Sequence, residues 1–121
     1  MKLYKNYIDG KWLDSESKDV IQVDDPATGN IIGEISCAKK NEVDLAVSAA
    51  KAAFNSRILV DMPLLERGKL MHRIADETRK VADEGGKMLC YENGKMLGSA
   101  IKEFNDVADM FDYYAGLTDK L

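Results

Sequence analysis

The chain has 121 residues, 45% hydrophobic and 31% charged, with a net charge of −4. That suits one soluble domain over residues 1–121 and excludes a general electrostatic attraction to nucleic acid or to an anionic membrane surface. The densest basic group, Arg67, Lys69 and Arg73, lies among Glu66, Asp76 and Glu77 and reads as a solvated mixed-charge helix face.

The first third reads as short strands. Tyr7-Ile8-Asp9-Gly10-Lys11-Trp12 sets Asp-Gly between apolar residues, the signal of a hairpin with a type I′ turn. Ser15 to Asp19 is polar loop, and Val20 to Val23 is a β-branched strand. Asp25 to Asn30 is a turn, with Pro26 presetting φ and Gly29 freeing it. Ile31 to Ile35 is a further strand.

After Ser36 the period lengthens to about 3.6. Asn41 is expected to cap a helix whose apolar face is Val43, Ala46, Val47, Ala50 and Phe54. A second helix is expected from Pro63, with Leu70, Met71, Ile74, Thr78 and Val81 as its stripe and Gly85-Gly86 as its interruption or end. A short helix, Lys87 to Glu92, stops at Asn93-Gly94. The last helix runs from Ser99 to Ala115 on Ile101, Phe104, Val107, Ala108, Phe111, Tyr114 and Ala115. The expected class is α/β, N-terminal β-strands followed by three or four helices.

Little of the sequence offers chemistry. His72 is the only histidine and falls beside the apolar stripe of its helix, a boundary or surface position. Cys37 and Cys90 are too few for a secreted disulfide scaffold and are expected as free buried thiols. One histidine and no paired cysteines make a zinc site improbable. The pairs Gly10-Lys11, Gly68-Lys69, Gly86-Lys87 and Gly94-Lys95 lack the rest of a P-loop. Gly94 and Gly98 follow a helix, whereas a dinucleotide fingerprint follows a strand. No apolar run nears the roughly 20 residues that span a bilayer. Met1 to Trp12 lacks the apolar centre of a signal peptide, so the expected compartment is the cytoplasm.

Six short motifs in order carry more. Tyr7-Ile8-Asp9-Gly10-Lys11-Trp12 resembles an opening common in aldehyde dehydrogenases. Asp25-Pro26-Ala27-Thr28-Gly29-Asn30-Ile31-Ile32 resembles their Asn-Pro-Ala-Thr-Gly turn, with aspartate for asparagine. The helix of Glu42-Val43-Asp44, Ala46-Val47 and Ala49 to Phe54 follows, then Arg67-Gly68-Lys69-Leu70 with Ile74-Ala75-Asp76. Glu92-Asn93-Gly94-Lys95 comes next, with Met96 where proline is usual, and Tyr113-Tyr114-Ala115-Gly116 with Asp119-Lys120 ends the series. Each is weak alone; in sequence they cover nearly the whole chain, which resembles the N-terminal part of an NAD(P)-dependent aldehyde dehydrogenase.

That resemblance implies a partial segment of a Rossmann-like cofactor-binding domain. It implies an enzyme that oxidises an aldehyde to a carboxylic acid with NAD or NADP. The family's catalytic cysteine, catalytic glutamate, oxyanion-hole asparagine and cofactor-binding lysine all fall beyond Leu121. No catalytic or cofactor-binding residue is therefore assigned here, and this chain alone is expected to be inactive and to bind neither NAD nor NADP. The resemblance also implies a monovalent cation site, with Glu92 giving a carboxylate and Asp24 a backbone carbonyl. An incomplete domain leaves apolar helix faces wet, with Phe104, Phe111 and Tyr114 the expected exposed side chains, and self-association is the expected result. The alternative is a standalone non-catalytic module that binds itself or a full-length relative.

Overall fold

A computed structural model describes residues 2–120; Met1 and Leu121, the outer limits of the stretches considered above, lie outside the described residues. The chain divides into two compact units, residues 1–58 and 59–121.

The first unit holds β1 (Leu3–Tyr4), β2 (Asn6–Ile8), β3 (Lys11–Leu13), β4 (Val20–Asp24), β5 (Ile31–Ser36) and α1 (Lys40–Asn55). Asp9 and Gly10 take φ of 50° and 76°, so β2 and β3 close into the expected hairpin, with Tyr7 opposite Trp12. In the second sheet β5 is central, antiparallel to β4 and parallel to β1. β1 is a strand only through that pairing, and two residues carry no period by which sequence could reveal it. The turn before β5 forms as expected. The Asp25 carboxylate accepts from Ala27 N–H and the Thr28 hydroxyl, and Gly29 sits at φ 71°.

α1 is capped differently from expectation. Its N-cap is Lys39, and Asn41 lies inside the first turn. The cap works from the N3 position: Glu42 Oε2 accepts the Lys39 backbone N–H at 2.9 Å.

The second unit is helical: α2 (Leu64–Lys80), α3 (Ala82–Asn93) and α4 (Leu97–Ala115). α2 and α3 both pack on α4. Pro63 is the N-cap of α2, as its fixed φ and missing N–H allow. The break between α2 and α3 falls at Val81, not at Gly85-Gly86. Those glycines lie inside α3 because α4 crosses there. A Cβ on Gly85 would stand 2.2 Å from Phe104 Cζ, and one on Gly86 2.5 Å from Ile101 Cγ1 and 2.9 Å from the Ile101 backbone N. α3 thus extends further back than the expected Lys87 start, and it ends at Gly94 in the left-handed conformation.

Small side chains make this core. Ala75, Ala82, Ala100, Ala108 and Ala115 are buried, and no large side chain among the described residues is fully buried. Alanine and glycine at helix crossings let backbones approach closely. Phe104 and Phe111 are half-buried rather than exposed, the Phe104 ring filling the space over Gly85; Tyr114 is exposed as expected. The larger wet surface is the face of α1 that periodicity marks as apolar: Val43, Val47, Ala50 and Phe54 are all exposed, Phe54 by 80%.

Candidate functional site

Among the described residues the one passage from strand to helix is β5 to α1, through Cys37-Ala38-Lys39. A Rossmann pyrophosphate cradle needs glycines in such a turn and open amides at the helix N-terminus. Here no glycine is present, and a side chain already occupies the turn. Glu42 is buried; its Oε1 accepts Glu16 N–H at 2.7 Å and its Oε2 accepts Lys39 N–H. The Ser15 hydroxyl stands 2.5 Å from the Cys37 carbonyl and 3.2 Å from Glu42 Oε1, its single proton serving one acceptor at a time. The backbone N–H of Glu16 first, then Glu42's own backbone N–H and that of Lys39, hold the Glu42 carboxyl below the usual carboxylate range. An ion pair between Lys39 Nζ and Asp19 at 2.7 Å closes the outer side. The turn is built to tie α1 to the loop after the hairpin, and its residues do not fit a dinucleotide.

In the second unit His72 is exposed and joins α2 to α4. Its Nδ1 is 2.6 Å from Asp112 Oδ1, while Arg79 donates to Asp112 Oδ2 at 2.6 Å and to Asp109 at 2.7 Å. The His72 hydrogen bond first and Arg79 second hold the Asp112 carboxyl below its ordinary value, and Asp112 and Asp109 push Arg79 up. These contacts clasp two helices; among the described residues the imidazole's hydrogen-bond partner is a carboxylate, not a thiol or hydroxyl.

Glu92 is exposed one residue before the end of α3, and Asp24 is exposed at the end of β4 in the other unit. Cys37 and Cys90 are free and half-buried, somewhat more open than expected. Sequence reasoning missed the roles of Glu42 and Asp112. Glu42 stands at the N3 spacing of a capping box, but Lys39 supplies no Ser or Thr to make the pattern visible. Asp112 is reached only through the packing of α4 on α2.

The sequence model of the aldehyde dehydrogenase family matches residues 12–121. The chain belongs to that family. It is 35% identical over 117 residues to the D-glyceraldehyde dehydrogenase (NADP(+)) of Picrophilus torridus, a match covering 97% of this chain and 23% of that one. It is 37% identical over 118 residues to the peroxisomal aminoaldehyde dehydrogenase 1 of Pisum sativum, covering 95% and 24%. In structure it resembles the betaine aldehyde dehydrogenase of Staphylococcus aureus solved in complex with NAD+, at 29% identity and a TM-score of 0.88, covering 98% of this chain and 24% of that one. The chain thus spans about a quarter of the length of the relatives it matches, and its strands-then-helices order is that of an N-terminal portion of the family's Rossmann-like domain. No described helix is long and apolar enough to cross a membrane.

Proposed function

We propose that this chain serves as the N-terminal part of an NAD(P)-dependent aldehyde dehydrogenase. In the whole enzyme an aldehyde is oxidised to a carboxylic acid, NAD(P)+ takes up the hydride, and water supplies the second oxygen. The observation that carries the reading is the family match over residues 12–121 together with a fold matched along 98% of the chain. The family's cysteine, glutamate and cofactor contacts are assigned to sequence beyond this chain, whose β5–α1 turn is filled by Glu42. The chain's part is structural: it supplies the hairpin, the small mixed sheet and the first helices on which the rest of the domain builds. The proposed compartment is the cytoplasm.

The test is reconstitution. The 121-residue chain is assayed with aldehydes and NAD+ or NADP+, alone and mixed with the remaining portion of a related dehydrogenase. No turnover alone and aldehyde-dependent NAD(P)H formation on mixing are expected. Turnover by the chain alone overturns the assignment of the chemistry to sequence beyond it.

The resemblance also supports a monovalent cation held by the Glu92 carboxylate and the Asp24 carbonyl. A second reading, favoured by the exposed apolar face of α1, is that the 121-residue chain on its own associates with another copy.

A further inference from the structure

We propose that Asn93-Gly94 is a site of spontaneous modification, at which the Asn93 side chain loses ammonia and becomes aspartyl or isoaspartyl. The Gly94 backbone nitrogen gives up its proton and attacks the carbonyl carbon of the Asn93 side chain. A new C–N bond forms, the bond to the side-chain nitrogen breaks, and ammonia leaves, closing a five-membered succinimide. Water then opens the ring at either carbonyl. The step needs no enzyme, no oxidant and no partner.

Two features of the fold select this asparagine. The attacking nitrogen is crowded by the side chain of its own residue, and Gly94 has no Cβ. Asn93 is also the last residue of α3, followed by Gly94 at φ 71°. The Gly94 N–H donates to the Cys90 carbonyl at 3.0 Å and so closes the helix. Attack requires the backbone at Asn93 to turn out of helical geometry, which releases this terminal bond and leaves the earlier turns intact. Helix ends fray in this way at small cost. The gate is one hydrogen bond, not the unfolding of the unit.

α1 supplies a comparison within the same molecule. It also ends on an asparagine, Asn55, and the Ser56 N–H donates to the Ala52 carbonyl at 3.0 Å. Ser56 carries a Cβ, however, and its hydroxyl donates to the Ala53 carbonyl at 2.6 Å, a second tie on the same turn. The other four asparagines precede Tyr7, Ile31, Glu42 and Asp106, whose side chains crowd the attacking nitrogen.

The products act on α3. A carboxylate at position 93 stands beside Glu92, at the helix end whose last carbonyls already carry partial negative charge. The isoaspartyl form also lengthens the main chain by one carbon and displaces Gly94 from its cap. Lys95, beyond the cap, is paired with Glu103 of α4, so the displacement falls on the last turn of α3.

The test is incubation of the folded 121-residue chain at pH 7, 8 and 9, followed by peptide mass spectrometry. The peptide holding Asn93 is expected to gain one dalton, at a rate that rises in proportion to hydroxide. With no Cβ in the way of the attack, it should convert about tenfold faster than the peptide holding Asn55. N93Q should abolish the gain, with circular dichroism establishing that it is folded. N93D, which carries one product from the start, should melt below the parent, as should the aged chain. An Asn93 peptide that stays unchanged in the folded chain overturns the proposal, and a parallel sample in urea shows whether the cap or the chemistry blocks the step. Equal conversion at Asn55 and Asn93 overturns the selection by Gly94 and its single bond.

Discussion

The carboxylate of Glu42 accepts the backbone N–H of Glu16 at 2.7 Å, across 26 positions of sequence. One side chain thereby caps α1 and fixes the loop that follows the hairpin. Replacing it leaves the N–H groups of Glu16 and Lys39 without their acceptor, which is where a polar deletion costs most. E42A is expected to lower the melting temperature of the chain by several degrees, read by circular dichroism. E42Q, which keeps one carbonyl oxygen, should fall between E42A and the parent.

The same residue sets a pH dependence. Its folded pKa is depressed by the backbone N–H of Glu16 first. A depressed carboxylate stabilises the fold above its unfolded pKa, and the contribution is lost as pH falls through the lower folded value. The stability advantage of the parent over E42Q is expected to be full at pH 7 and to disappear in acid below the ordinary carboxylate range. Melting curves of both proteins from pH 7 to pH 3 check this; an advantage that grows in acid contradicts it.

Gly86 decides how closely α3 meets α4. Helix propensity alone says that alanine there stabilises by about 1 kcal/mol. The added Cβ would stand 2.9 Å from the Ile101 backbone, which yields only if the helices shift. Overpacking of this kind costs roughly 1–3 kcal/mol, so G86A is expected to be destabilising in urea unfolding. A more stable G86A would mean that the crossing is looser than described.

Asp112 joins His72 and Arg79 across α2 and α4. D112A should lower the melting temperature, and D112N, which keeps an acceptor but no charge, should lower it less. Salt should narrow the gap between the parent and D112N, because exposed charges are screened. A gap unchanged by salt removes the electrostatic part of the clasp.

The cation proposal makes a separate forecast. Potassium or sodium should raise the melting temperature in an ion-specific way, and E92Q should remove that rise. Equal effects of both ions with lithium or choline, at matched ionic strength, would sink it.

What the sequence disclosed was mostly local. Asp9-Gly10 announced the hairpin, Asp25 to Asn30 announced their turn, and the period of Ile101 to Ala115 announced α4, because each signal sits within a few residues of its effect. Long-range packing escaped it. Gly85-Gly86 looked like a break, and only the proximity of Phe104 and Ile101 explains glycine inside α3. Val81 gives no Gly or Pro signal for the break that does occur. The period of α1 correctly identified an apolar stripe, yet periodicity says nothing of what covers it, and Val43, Val47 and Phe54 stand exposed. The family was legible because its motifs recur in order, and the role of Glu42 was not, because its partners come from Ser15, Glu16 and Lys39 together.

The central claim is that this chain works as the first quarter of an aldehyde dehydrogenase. The most direct measurement is the intact mass of the native protein from its source, read together with its gene. The account predicts a mass about four times the 13.5 kDa of this chain, with a cysteine nucleophile and a glutamate base encoded downstream. A native mass of 13.5 kDa with a stop codon after Leu121 would contradict it.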